Sequence, residues 1–340
     1  MTSHCPRRPV AVSLVSVSVA LLGVFAAPGA PAQVLAEPAL DALYTAERFD
    51  ELDRIAQARL AQRADDAQAV LAAALVALSA DDSTRRAAAI ARAEACLQRA
   101  PSAAGCHYAL GTVLGVQAVS QGLLKMAGSV GEVKASLMTA LELEPTWYPA
   151  RSAVVEFYLV APGLLGGSEA KAAETARAAA RPEQARALDA RIRLQNEKFE
   201  DALKLLADVR PGGDSALAED VGAWRIAAAF GLLRNGEVDK ARAAFERSRL
   251  DRPGSAYAPY GLARIQADAG AHAEALKLLE QSAHLRGAAQ LPLDYRLGLS
   301  QQALGQTDAA RASFKRFVAA GKGESKSIDD AKKRLGQLGG

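Results

Sequence analysis

The 340-residue sequence is poor in the side chains that usually carry chemistry: four histidines, three cysteines and only 5% aromatics. No H-E-x-x-H, G-x-S-x-G or C-x-x-C is present, so no catalytic residue, metal ligand or cofactor is assigned from the sequence. Gly105-Cys106-His107 matches only the end of a haem-attachment site, because Ala103 stands where the first cysteine would have to be. His107 is therefore expected to be a packed ring. Runs of Val and Ile are scarce after residue 30, which leaves little from which to build a sheet. Charge of one sign is lacking too: the formal net charge is +3 and falls to +1 without residues 1–32, which hold Arg7 and Arg8 and no acid. A near-neutral body has no field suited to nucleic acid. Beyond Gln33 no apolar run is long enough to cross a bilayer.

What the chain does have is Ala, Leu, Arg, Glu, Lys and Gln, the residues at the favourable end of the helix scale. Residues 1–32 differ from the rest: a basic "CPRRP", an apolar "VAVSLVSVSVALLGVFAA" and an Ala30-Pro31-Ala32 exit form the three parts of a secretory signal. The expected product is an exported, periplasmic protein cleaved after Ala32, the alternative being an uncleaved anchor in the inner membrane. Cys5 leaves with the signal. Cys96 and Cys106 remain, one near the end of a helix and one near the start of the next, in an oxidising compartment. A disulfide and a pair of buried free thiols are both compatible with that placement.

A period emerges when the C-terminal half is aligned on single glycines. "WRIAAAFGLLRNGEVDKARAAFERSRLDRP", "YGLARIQADAGAHAEALKLLEQSAHL" and "YRLGLSQQALGQTDAARASFKRFVAAG" place Gly236, Gly270 and Gly305 at spacings of 34 and 35. Five residues after each stands Ala241, Ala275 or Ala310, and four further on Phe245, Leu279 or Phe314. Small then large at i and i+4 share one helix face. Each unit reads as a helix, a glycine turn and a second helix closely packed on the first, with a flank that only the next unit can bury. Weaker copies precede these, in "ERFDELDRIAQARL", "RRAAAIARAEACLQRAP", "VKASLMTALELEP" and "EKFEDALKLLADV".

These segments resemble the tetratricopeptide repeat, a 34-residue helix-turn-helix unit. Leu110-Gly111 and Leu297-Gly298 match its first-helix Leu-Gly, and Pro101, Pro145 and Pro253 fall at its repeat end. The resemblance implies an all-α, right-handed superhelical solenoid of about eight hairpins between Ala39 and Ala320, followed by a capping helix from near Ser327. The expected divisions are 1–32 signal peptide, 33–210 degenerate hairpins with enlarged turns, 211–320 regular hairpins, and 321–340 capping helix and tail.

Two turns are expected to be enlarged on one edge. In the third hairpin Gly122, Gly128 and Gly131 fall in the turn region; in the fourth, Pro162, Gly163 and Gly166 supply an insertion, Gly167 takes the turn position, and Ser168 caps the next helix. A phosphate cradle there lacks the lysine and the strand it would need.

The resemblance implies a protein or peptide partner on the concave face of the first helices. Repeat register puts Phe230, Arg234, Tyr257, Tyr260, Arg264 and Tyr295 on that face, aromatic and Arg anchors of the kind interfaces use. The alternative is that the tyrosines pack between repeats. The two-Lys, two-Asn clamp of chaperone-binding relatives is not reproduced, since Ile226, Phe230, Tyr260 and Arg264 hold those positions. The functional expectation is a periplasmic scaffold or adaptor without catalytic activity. An enzyme or small-ligand carrier would instead show a deep pocket between the enlarged turns of hairpins three and four, and a structural envelope subunit would use the convex face.

Overall fold

Helix formers broken by single glycines at a fixed interval produce paired antiparallel helices. The computed structural model describes residues 33–80, 82–121, 123–321 and 323–339, and these belong to one unit. Eight hairpins follow one another: α1 (Pro38–Thr45) with α2 (Phe49–Gln62), α3 (Ala67–Ser79) with α4 (Ser83–Arg99), α5 (Ala104–Gln121) with α6 (Leu123–Leu143), and α7 (Tyr148–Val160) with α8 (Glu169–Arg177). Then come α9 (Pro182–Gln195) with α10 (Phe199–Ala207), α11 (Ser215–Arg234) with α12 (Val238–Asp251), α13 (Tyr257–Asp268) with α14 (His272–Ala283), and α15 (Leu293–Ala303) with α16 (Thr307–Ala320). A last helix, α17 (Ser325–Gln337), covers the end of the stack. Among the described residues no strand forms; one bridge, Ser255 to Arg286, ties two inter-hairpin connections together. The signal-peptide reading of residues 1–32 lies outside the described residues.

Local chemistry sets the helix ends. Asp66, Asp82, Ser168 and Asp214 each accept a hydrogen bond from a first-turn backbone N–H. Gly236, Gly270 and Gly305 turn their hairpins with φ of +79°, +80° and +73°, a region that side-chain-bearing residues avoid. In hairpins one and five the same place is held by Glu47 and Glu197, both at φ 55°.

Packing follows the small-then-large pattern. Ala241, Ala275 and Ala310 are fully buried, and so are Phe245, Leu279 and Phe314. The rings need a seat on a first helix. A Cβ built on Gly261 of α13 would lie 2.4 Å from the Phe245 ring, and one on Gly298 of α15 would lie 2.6 Å from that of Phe314. Cys96 of α4 and Cys106 of α5 are bonded, S–S 2.02 Å, so hairpins two and three are joined covalently. A loop this short adds about 2 to 3 kcal/mol of stability.

The enlarged turns need correction. Gly128 and Gly131 lie inside α6, not in a turn, and Gly122 lies outside the described residues. The extra length of hairpin three extends its helices to 18 and 21 residues. Isolated glycines cost a helix about 1 kcal/mol each relative to Ala, which a long packed pair absorbs. In hairpin four the insertion is real: Gly163–Leu165 make one 3-10 turn, Gly166 takes the left-handed conformation at φ +98°, and Ser168 caps α8. Gly167 is not the left-handed residue the register suggested. It is needed for space, since a Cβ there would meet the Ala161 carbonyl oxygen at 1.8 Å.

Gly261→Val drives a side chain into a ring that has no room to move, and is expected to destabilise the fold by about 1 to 3 kcal/mol in urea unfolding. Gly254→Val, at a residue with nothing within 4 Å of its added Cβ, is the control and stays within about 0.5 kcal/mol.

Candidate functional site

In a simple stack each hairpin meets its neighbours. Here the N-terminal arm, Gln33 to Thr45, also reaches hairpins far along the chain. Buried Asp41 organises it: its Oδ1 accepts the N–H groups of Val34 (3.0 Å) and Leu35 (3.1 Å), and its Oδ2 accepts the Ser215 hydroxyl of α11 (2.8 Å). The Ala36 N–H donates to Gln68 of α3 (2.8 Å), and Trp147 Nε1, at the start of α7, donates to the Gln33 carbonyl (2.9 Å). At the far end of α1, Arg286 Nη1 donates to the Thr45 carbonyl (2.7 Å) across 241 residues of sequence. The arm is thus held from hairpins two, four and six and from the connection after hairpin seven.

Between the arm and the first helices it touches lies a cavity of about 720 Å³. Its wall is almost wholly apolar: Val34 and Tyr44 from the arm, Leu75 from α3, Tyr108, Gly111 and Gly115 from α5, Val133 and Leu137 from α6, and Ala153 and Phe157 from α7. Of the two α5 glycines on this wall, Gly111 lets Leu137 of α6 pack close, since a Cβ there would lie 2.7 Å from that side chain, and Gly115 leaves room, since a Cβ there would make only a 3.6 Å contact with Val133. Val116, Val119 and Val160, each about half exposed, edge it.

The polar groups gather at one end. Asp220 of α11 borders the cavity, and its Oδ2 accepts the Tyr148 and Ser152 hydroxyls of α7, both at 2.8 Å. Loss of solvent, opposed by the two hydroxyls and aided by the charges of Glu156 and Asp214, leaves its pKa raised to about 6. The other two carboxylates on this wall are neutralised: Arg191 forks onto Glu156, and Glu219 accepts from Arg252 (2.6 Å) and Arg286 (3.0 Å). Among the described residues, Asp220 has no ion pair. Burial also raises the Tyr108 and Tyr148 phenols, so both rings stay neutral. The arrangement sets two hydroxyls and one carboxylate at the end of an apolar pocket, where they can orient the polar end of a bound molecule.

Of the six residues expected on a partner-binding surface, Tyr260 is buried, Phe230, Tyr257, Arg264 and Tyr295 are half-buried, and Arg234 is exposed. Tyr260 is only 5% exposed and packs on Phe230, ring centroids 6.1 Å apart, while Phe230 meets Phe245 edge-on and carries Arg264 over its face. Tyr295 stacks on Phe317 and donates to Asp330 of α17 (2.9 Å). The Tyr257 ring fills the space beside Gly287, and Arg234 covers Phe199 and pairs with Glu197 at 3.3 Å. Packing between repeats uses most of this aromatic surface. His107, expected as a packed ring, instead bonds the Pro101 carbonyl through Nε2 at 2.8 Å. Among the described residues no group of three or more metal-ligating side chains occurs, and no helix is long and apolar enough to cross a membrane. The sequence offered a pocket between hairpins three and four only as an alternative, and the cavity borders both of them; its apolar signal was the run "LGTVLGVQAV", a helix apolar nearly all round with two glycines on one face.

A carboxyl whose pKa is higher in the folded than in the unfolded chain favours folding while protonated. The contribution of Asp220 is therefore full below about pH 4, its unfolded value, and is lost as pH rises through about 6. Comparing urea unfolding of the parent and Asp220→Asn at pH 5 and 7.5, the parent is expected to gain about 1.4 kcal/mol relative to the variant on acidification. Parallel pH profiles would mean that Asp220 titrates as an ordinary surface carboxyl.

No protein-family model matches this chain, and no curated protein matches it in sequence. Solved structures do. The human IFIT1 dimer with PPP-AAAA is 15% identical, with 85% of this chain and 68% of that one covered and a TM-score of 0.50. A tetratricopeptide repeat protein from Parabacteroides merdae is 15% identical over 86% of this chain and 100% of its own, TM-score 0.44. Pseudomonas aeruginosa pilF is 14% identical over 69% of this chain and 99% of its own, TM-score 0.45. At such identities the likeness concerns fold. Eight helix-turn-helix hairpins, turned by left-handed glycines at the 34-residue interval where the period is regular, give this chain the all-α helical-repeat fold of tetratricopeptide type.

Proposed function

We propose that this is an exported binding protein that holds an apolar small molecule in the cavity beneath its N-terminal arm, without transforming it. The observation that carries this reading is the cavity: about 720 Å³, walled by aliphatic and aromatic groups, with a few polar groups converging at one end. Ligand sites of 300–1,000 Å³ have this make-up. Asp220 defines the preferred head group, a hydrogen-bond donor or a cation, because its carboxylate faces the cavity without a counter-charge. Export is supported by the secretory pattern of residues 1–32 and by the Cys96–Cys106 disulfide, which persists in an oxidising compartment such as the periplasm.

Gly115 provides the test, because a Cβ there makes only an ordinary 3.6 Å contact with Val133 and longer side chains extend into the cavity. Calorimetry with 1-decanol and decylamine is expected to show binding to the parent protein and at least tenfold weaker binding to Gly115→Leu. Absence of binding by the parent, or equal binding by both, rejects the reading.

A second reading is a protein partner, and the mouth of the cavity favours it. Leu164, at the tip of the 3-10 turn, is fully exposed, close in sequence to half-exposed Val160. Under this reading Leu164→Glu leaves decanol binding unchanged and removes a specific envelope-protein cross-link placed at residue 160, which is half exposed. A cross-link yield unaltered by the change counts against it.

A further inference from the structure

A second cavity of about 330 Å³ lies between hairpins seven and eight and the last helix, away from the apolar one. Its wall carries Arg264 of α13, His272 of α14, Arg296 and Ser300 of α15, and Arg334 of α17. Arginines that are partly withdrawn from water are normally paired. Arg334 is: it meets Asp330 at 2.6 Å and donates to Gln302 Oε1 at 2.8 Å.

Arg264 and Arg296 are different. Among the described residues neither has an ion pair or a hydrogen-bond partner, and the Nε of each is buried. The Nδ1 of His272 and the Oγ of Ser300 are likewise buried and unpartnered, Ser300 being 1% exposed. Each guanidinium lies over a ring, Arg264 at 5.7 Å from the Phe230 centroid and Arg296 at 5.7 Å from that of Tyr295, which restrains the planar groups. Arg264 has its pKa lowered, first by desolvation and then by the charge of Arg296; Asp268 and Glu324 offset part of this. Two half-buried guanidiniums thus face one pocket, and the carboxylate on its wall, Asp268, forms an ion pair with neither.

Such an arrangement costs folding free energy unless an anion joins it. Guanidinium forks match the oxygens of carboxylate and phosphate, and a buried hydroxyl supplies a further donor. We infer that this cavity binds a small oxyanion, a phosphate or carboxylate group, between Arg264 and Arg296 with Ser300 Oγ donating to it. The volume suits a compact anion of the size of phosphate or malonate. The inference is independent of the apolar cavity and of any ligand held there.

Thermal unfolding of the full mature chain in chloride, compared at equal ionic strength with 10 mM inorganic phosphate or malonate, tests it. At least one of the two is expected to raise Tm by about 2 to 4 °C over chloride. The gain should vanish in the Arg264→Gln/Arg296→Gln double variant, which in chloride alone should melt no lower than the parent because it relieves the repulsion. Ser300→Ala should weaken the anion at least threefold by calorimetry. Arg296→Lys, which keeps the charge and loses the fork, should weaken it at least fivefold and serves if the double variant fails to fold. A response to phosphate alone assigns a phosphoryl ligand; a response to malonate alone assigns a carboxylate. No shift over chloride with either, or the same shift in every variant, overturns the inference.

Discussion

The structure depends on the fit of a large apolar side chain into a seat made by the absence of one. Phe245 occupies the space a side chain on Gly261 would need, Phe314 that of Gly298, and Phe199 that of Gly231. Each contact brings second helix and first helix close enough to exclude water along their length. A single hairpin has one such flank left over, and burying it requires the next hairpin. Burial at about 25 cal/mol per Å² of apolar surface therefore rewards extension of the row as much as formation of any one unit. The row ends where α17 lays Ala331 and Leu335 against Phe317 and Tyr295 and turns a charged face outward.

The N-terminal arm makes this row more than a stack. Through Asp41 it bonds to α11, through Gln33 to Trp147 beside α7, and through Thr45 to Arg286 after hairpin seven. These bonds link residues up to 241 positions apart, which in a nearest-neighbour array would never meet. Val34 and Tyr44 of the same arm form one side of the half-open apolar pocket that the glycine face of α5 also lines.

The two cavities are opposite in chemistry. The one under the arm ends at a carboxylate that no cation pairs, and the one between hairpins seven and eight displays two guanidiniums in no ion pair, Asp268 on the same wall included. Uncompensated buried charge is disfavoured in either sign, so each position is best accounted for by something outside the chain. Surface pairs such as Lys240 with Glu200 and Glu237 have no comparable consequence, since water screens them.

Periodicity is local, and what is local was legible. The 34-residue spacing of Gly236 and Gly270, the buried Ala-Phe pairs, the eight hairpins with a closing helix, and the Ser168 cap all follow from short stretches read by themselves. Register also placed Cys96 near Cys106, while leaving their bonding open. It misjudged Gly128 and Gly131, because glycine within a long helix looks the same as glycine in a turn until packing decides. It left Tyr260 between a binding surface and packing between repeats, and the structure buries that ring against Phe230 and Leu279. The sequence by itself determined the units and their order. Only tertiary structure decided how far the row curves, and so that Asp41 meets Ser215, that α5 faces a half-open apolar pocket, and that Arg264 and Arg296 share one pocket, since those distances sum small rotations over many hairpins and no single stretch encodes them.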